Sequence, residues 1–351
     1  MCPTPSASSL PQKNFWDCKK HRGMGIVGIV ANPSSGKDIR RLVARASVFD
    51  NQEKQAIVQR VLAGIIESGA DKIAYFDDGH HIVRHALEEC STVIEAQAVD
   101  STQTATALDT TSTARAFKEI GCDVVVTLGG DGTNRAFALG WRDAPLIPIS
   151  TGTNNVFPLL IEATIAGAAA GLIASGAVGL NEAATQHKVV QVTIDGERDD
   201  LALIDAVLSR ERFVGARALL APEQLEVALL TRADPAAVGI TAVGGLLNPI
   251  SDKDDCGLLL EFGSPGWIVN APIAPGYYRQ VQVRKHRLVN SAEEILIEGP
   301  GVLALDGERE RVLKPGQTAS LRITRSGPKV VDVERVMLIA AEQHEFITEP
   351  D

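Results

Sequence analysis

Between positions 124 and 134 the chain reads Val-Val-Val-Thr-Leu-Gly-Gly-Asp-Gly-Thr-Asn, an apolar β-branched run that empties directly into three glycines set around one carboxylate. The run 124–127 reads as a strand buried on both faces, the signature of a parallel sheet. A parallel sheet needs helices on its faces, so this one stretch commits the chain to a layered α/β architecture. Gly129, Gly130 and Gly132 would let bare backbone N–H groups approach a polyphosphate that any Cβ would hold away. Asp131 is then placed to handle a proton or a divalent cation. A plainer reading stands beside this one, because glycine-rich turns after strands are common and an Asp in such a turn often only caps the next helix.

Around this stretch, strand and helix patterns alternate. Strands are predicted at 26–31, 72–76, 123–128 and 146–150, and helices at 54–68, 81–89 and 110–120. Three of the strands end in small polar loops: Asn32-Pro33-Ser34-Ser35-Gly36-Lys37, then Gly129 to Asn134, then Thr151-Gly152-Thr153-Asn154-Asn155. In an open parallel sheet the loops at the carboxyl ends of strands share one edge, where ligands bind. Beyond an Ala-rich helix at 162–175, short alternating strands dominate from 188 to 323, punctuated by Pro and Gly turns, and predict an antiparallel β-rich, sandwich-like domain. The expected organisation is a disordered tail at 1–23, an α/β domain at 24–157, the β-rich domain at 158–330, and a segment at 331–351 that returns to the first domain.

Composition narrows the partners. The 351 residues carry a formal net charge of −10, which leaves no basic footprint for nucleic acid or an anionic membrane surface. The five cysteines are scattered without a C-x-x-C pair, so neither a disulfide framework nor a zinc site is indicated, and no apolar run has the length of a membrane span. A cytoplasmic protein is expected. Gly23 to Gly28 fits G-x-G-x-x-G but precedes its strand, and so cannot set a pyrophosphate on a helix N-terminus. Ser35-Gly36-Lys37 lacks the first glycine and the Ser/Thr of a Walker loop, although Ser34, Ser35, the Gly36 backbone and Lys37 could still touch phosphate. In the β-rich half, Leu303-Ala304-Leu305-Asp306-Gly307-Glu308 runs a strand into an acidic turn; Asp-Gly is also a common hairpin signal.

Taken in order, N-P-x-S-G-K, G-G-D-G-T-N, G-T-N-N and the L-D-G-E turn resemble the superfamily that joins NAD kinases, diacylglycerol and sphingosine-type lipid kinases and phosphofructokinase-like folds. The resemblance is closest to the ATP-NAD kinase-like proteins of the acetoin-catabolism protein X group, and it runs from Met24 to the C-terminus. It implies a two-domain fold, ATP held between the domains, Mg²⁺, and transfer of the γ-phosphoryl group to a hydroxyl. Under that resemblance Asn32, Ser34, Ser35, Gly36, Lys37, Gly129, Gly130, Gly132, Thr133, Asn134, Gly152, Thr153, Asn154 and Asn155 form the nucleotide site. Asp131 becomes the essential carboxylate, as base or as Mg²⁺ ligand, and Asp306 and Glu308 lie near the transferred phosphate.

The acceptor side departs from the pattern. NAD kinases hold NAD through a segment of the form A-L-N-D-V-V-I; the matching segment here is Ala202 to Leu208, which keeps Asp205 as a substrate contact and replaces the asparagine by Ile204. Isoleucine neither donates nor accepts a hydrogen bond. A tyrosine-bearing loop of those kinases corresponds to Val238 to Pro249, which keeps the pair Gly244-Gly245, read here as a bulge or close backbone approach between strands, and drops the aromatic. The function expected is an ATP-dependent kinase acting on a small acceptor, NAD or another hydroxylated metabolite of acetoin or diol catabolism, in a homodimer or higher homo-oligomer. A non-catalytic nucleotide sensor and a lipid kinase are the alternatives.

Overall fold

The computed structural model describes residues 25–36, 50–90, 92, 94–101, 103–152, 154–210, 222–291 and 293–348, with the backbone alone at 308–310. The tail 1–23, Lys37 and Thr153 therefore lie outside the described residues. The first half alternates strand and helix, with β3 and α4 added to the elements that the periodicity predicts: β1 (Ile26–Ala31), α1 (Asn51–Glu67), β2 (Lys72–Tyr75), α2 (Ile82–Glu88), β3 (Glu95–Ala98), α3 (Ala107–Ile120), β4 (Val124–Gly129), α4 (Asp131–Gly140), β5 (Pro145–Ser150) and α5 (Ala163–Ala174). Local chemistry sets the boundaries. Asp50 caps α1 by accepting from Glu53 N, Thr106 caps α3 by accepting from Leu108 N, and α3 stops at Gly121 with φ +79°.

β3, β2, β1, β4 and β5 pair in that order, all parallel. One face of this sheet packs against α1 and α5, whose axes come together at glycine. A Cβ on Gly64 would fall 2.1 Å from the Thr164 carbonyl oxygen, and one on Gly167 would fall 2.1 Å from that of Val61. The small side chains of the Ala-rich helix thus serve close packing, with Ala166, Ala169 and Ala170 fully buried.

After the short helix α6 (Leu180–Ala183) come β6 (Ala184–Gln186), β7 (Val189–Ile194), β8 (Asp200–Ala202), β9 (Asp205–Ser209), β10 (Leu225–Leu230), α7 (Ile240–Leu247), β11 (Cys256–Ala274), β12 (Tyr277–Asn290), β13 (Glu294–Glu298), β14 (Gly301–Leu305), β15 (Glu308–Leu313) and β16 (Thr318–Thr324). A six-stranded antiparallel sheet in the order β12-β11-β10-β9-β14-β15 packs on a four-stranded one, β13-β16-β7-β8, with Val192, Leu208, Leu303 and Leu321 in the core between them. The other face of the larger sheet carries α7. The chain then returns: β17 (Lys329–Val331) pairs parallel to β5 and antiparallel to β6, completing a seven-stranded first sheet, and α8 (Val333–Glu342) joins the core over α5. No helix among the described residues is long and apolar enough to cross a membrane.

The two halves share a core. Phe117, Val125, Phe137 and Phe157 of the first sit in one buried cluster with Val189, Leu201, Leu203 and Ile204 of the second. At its rim, Arg135 of α4 reaches across to the Leu201 carbonyl at 2.6 Å and the Asp200 carboxylate at 2.7 Å, and Arg311 of β15 holds the other Asp200 oxygen at 2.8 Å. Arg135 and Asp200 are both buried, so removing Arg135 leaves the buried Asp200 charge to the partly exposed Arg311. Arg135→Met is expected to cost about 3–5 kcal/mol of unfolding free energy, read as a lowered urea midpoint. Arg135→Met combined with Asp200→Leu is expected to recover much of that loss, because no buried charge is then left uncompensated.

Candidate functional site

β1, β4 and β5 are adjacent in the sheet, so their three loops emerge side by side. The loops are also tied to one another. The Asn32 side-chain amide donates to Thr133 Oγ1 at 2.8 Å, and the Ser35 and Thr151 hydroxyls share a hydrogen bond of 2.8 Å. Asn155 donates to Ser150 Oγ at 2.8 Å and turns its Oδ1 toward Gly130, where a Cβ would meet it at 2.7 Å. A Cβ on Gly129 would likewise strike the Thr133 side chain at 2.5 Å. Both glycines therefore make room for the protein's own polar side chains.

Asp131 is the first residue of α4, where the helix dipole favours a negative charge. Its carboxylate accepts from Val156 N at 3.0 Å and from Phe157 N at 2.8 Å, which ties the loop after β5 to the loop after β4. Asn134 is fully buried; it accepts from Thr127 Oγ1 at 2.7 Å and donates to the Gly130 carbonyl at 2.9 Å, so its side chain braces the glycine loop from beneath. Ser34 N donates to Asn32 Oδ1, and the Ser150 hydroxyl donates to the Gly152 carbonyl. The edge thus gathers Asn32, Ser34, Ser35, Gly36, Asp131, Thr133, Gly152, Asn154 and Asn155, with Asn134 behind them.

The second half contributes a different carboxylate site. Asp306 and Gly307 have φ of +51° and +76°, the pairing of a tight type I′ hairpin turn between β14 and β15. The Asp306 carboxylate also accepts from Leu203 N at 2.9 Å, Ile204 N at 2.7 Å and Asp205 N at 3.3 Å, fixing the junction of β8 and β9. Complete burial, reinforced by the neighbouring Asp205 charge, pushes its carboxyl up to about 8. Asp205 follows directly and is itself buried, while Ile204 at the position of the missing asparagine packs into the core shared by both halves. For Glu308 the backbone starts β15 and completes the turn.

Gly244 and Gly245 stand in α7 rather than between strands. They let this helix press onto Leu230 and onto the backbone at 234–235, where Cβ atoms would come within 2.5 and 2.2 Å. Where the pattern predicts only short strands, Cys256–Ala274 forms a single long strand, β11, with register shifts along its pairing with β12.

Two features escaped the sequence. Lys54, fully buried on α1, donates to the carbonyls of Asn32 at 2.9 Å, Pro33 at 3.0 Å and Ser35 at 2.9 Å, so it pins the first loop from below. Its signal was present: Lys54 falls three, four and seven residues before Ile57, Val58 and Val61, on the buried stripe of the helix. The second feature joins Arg232, which donates to the Val156 carbonyl at 3.3 Å, to His187 and Asp252. Burial pulls His187 down to about 4 despite the Asp252 carboxylate at 3.0 Å, and its ring meets Phe157 edge-on at 5.5 Å. Only tertiary structure brings 156, 187, 232 and 252 together.

Chemically, the edge offers backbone and hydroxyl donors around the Asp131 carboxylate, and the second half adds the buried carboxyl groups of Asp205 and Asp306. Among the described residues no cluster of three or more His, Cys, Asp or Glu forms a metal cage. A magnesium ion bound with a polyphosphate needs no such cage, since one or two carboxylates with substrate oxygens and water suffice.

Comparison with known proteins agrees with this arrangement. Residues 27–177 match the ATP-NAD kinase N-terminal domain and residues 188–326 the acetoin catabolism protein X C-terminal domain. The chain is 34% identical over 335 residues to acetoin catabolism protein X of Cupriavidus necator, covering 91% of this chain and 93% of that protein. The crystal structure of yeast NADH kinase complexed with NADH superposes with a TM-score of 0.54 at 13% identity, over 94% of this chain and 90% of that one, a likeness of fold.

The Asp306 carboxyl gives a pH test. Its value of about 8 in the folded chain stands above the ordinary 3.8, so the unfolded state releases this proton first. Its contribution to stability is therefore complete below about pH 4 and is lost as pH rises toward 8. Asp306→Asn is expected to destabilise by about 1–3 kcal/mol at pH 5, since one acceptor oxygen is lost, and to flatten the decline of stability from pH 4 to 8 in urea titrations. An unchanged slope would count against burial of this group as the cause.

Proposed function

The chain belongs to the acetoin catabolism protein X family, and on that premise we propose that it is an ATP-dependent kinase, transferring a γ-phosphoryl group to a hydroxyl of a small metabolite. The observation that carries this reading is the convergence of three strand-end loops around Asp131, cross-tied by Asn32, Ser35, Thr133, Thr151 and Asn155. Phosphoryl transfer asks a protein to align the acceptor, neutralise phosphate charge and receive a proton. Amides of the glycine loop with the Ser34, Ser35 and Thr133 hydroxyls suit the phosphates. Asp131 suits the proton or the water shell of Mg²⁺, which would supply charge neutralisation when bound.

The acceptor would sit toward Asp205, where the second half closes the edge. Ile204 offers no amide for a nicotinamide or adenine group, so we favour a compact hydroxylated metabolite, of the kind met in acetoin or diol catabolism, over NAD. The Trp267, Ile268 and Tyr278 side chains exposed on the β11–β12 hairpin support a homo-oligomer, and the absence of a spanning helix among the described residues accords with a cytoplasmic enzyme.

A coupled ADP-release assay over acetoin, butanediol, small polyols, NAD, NADH and diacylglycerol tests the proposal. Magnesium-dependent ADP formation with one acceptor is expected, falling ~10²-fold or more in Asp131→Asn. ATP binding by calorimetry with no ADP formed from any acceptor would instead favour a nucleotide-sensing regulator.

A further inference from the structure

We propose that Lys54 is the resident cation of the polyphosphate site, a role that rests on the kinase reading and extends it to a residue outside the three loops. Three loop carbonyls converge on its ammonium, those of Asn32, Pro33 and Ser35, and Asn51 Oδ1 stands at 3.4 Å. A trans peptide points its N–H opposite its C=O. The Pro33 and Ser35 carbonyls turned onto Lys54 therefore turn the amides of Ser34 and Gly36 away from it, and Ser34 N donates to Asn32 Oδ1. Gly36 takes the φ of +73° that this turn of the chain requires.

The positive ends of the loop dipoles and the ammonium charge consequently add on the same side. Asn32 and Ser35, whose carbonyls hold the ammonium, are also the residues hydrogen-bonded to Thr133 and Thr151, so the charge lies against a loop tied directly to the other two strand-end loops. Burying an ammonium is costly unless it is fully hydrogen-bonded, and a neutral side chain could have anchored the loop at lower cost. A charge at this depth acts through protein with weak screening, and its attraction grows with each negative charge on the ligand. A merely structural pin would influence all ligands of the loop alike.

The test is a ladder of dissociation constants by calorimetry for adenosine, AMP, ADP, ATP and inorganic tripolyphosphate, on the unaltered chain, Lys54→Met and Lys54→Gln. The glutamine keeps N–H donors for the carbonyls without the charge, and the methionine keeps the length without donors. Both variants are expected to lose about tenfold or more in ATP and tripolyphosphate affinity, progressively less for ADP and AMP, and about twofold or less for adenosine. A uniform loss across the ladder, or no loss, overturns the proposal while leaving the kinase reading intact. Absence of ATP and tripolyphosphate binding by the unaltered chain overturns the kinase reading and this role with it.

Should both variants fail to fold, the native chain supplies the measurement. With ¹⁵N-labelled lysine, the ammonium signals of Lys54 and of Lys188, the other fully buried lysine, held on the Ser251 and Cys256 carbonyls, are expected to resist exchange with water. Lys188→Arg separates the two. ATP and tripolyphosphate are expected to shift the Lys54 signal and not that of Lys188; bound ATP that shifts neither overturns the proposal.

Discussion

The Asp200 carboxylate, gripped from one side by Arg135 and from the other by Arg311, is the contact on which the relation of the two halves depends. Burial works against its charge, yet the two guanidinium groups hold it below the ordinary carboxylate value. Arg135 lies one helical turn beyond Asp131, so the helix that follows the glycine loop is the helix bolted to the second half. Arg311 lies on the strand that leaves the Asp306 turn. One buried anion thereby ties together the helix of Asp131, the end of β8 and the hairpin of Asp306, and the apolar cluster of Phe137, Phe157, Leu203 and Ile204 fills the joint.

Two other carboxylates follow the same logic on a smaller scale. Asp131 gathers the amides of 156–157 and Asp306 those of 203–205, each collecting a segment from far away in the chain. A carboxyl group that accepts from several backbone donors anchors two segments at once, and where it is ionised the bonds are charge-assisted. The groups best suited to chemistry are thus also those that hold the local geometry, and Arg232 on the far side of the Val156 carbonyl extends that scaffold to His187 and Asp252.

Much of this was legible in the sequence because parallel strands buried on both faces advertise themselves. Val124 to Thr127 and Ile26 to Ala31 are continuous apolar runs, and their adjacency follows once both end in polar loops. β3 was not legible: Glu95-Ala96-Gln97-Ala98 is exposed along its length and joins the sheet edge through its backbone and a partly exposed Lys72–Glu95 ion pair at 3.6 Å. The helix α7 hid behind Gly244 and Gly245, since glycine pairs weaken helices in isolation and are retained here only for contact with Leu230 and the 234–235 backbone. For Asn134 and Lys54 the positions were legible, one in the G-G-D-G-T-N motif and the other on the buried stripe of α1, but their partners were not. Each is polar, fully buried and satisfied within its own loop system, a pairing that composition and periodicity do not encode.

The return of the chain to its first sheet bears on how the molecule is made. β5 keeps an open edge until β17 arrives from positions 329–331 and β6 closes beside it, and α8 covers α5 later still. During vectorial synthesis the nucleotide-side sheet would wait, one edge unpaired, while about 140 residues of β-rich chain between β6 and β17 emerge and pair among themselves. Long-range closure of this kind raises contact order and slows the last step of folding. The two matched domains, separate as sequence families, are therefore a single cooperative unit on the ribosome's timetable.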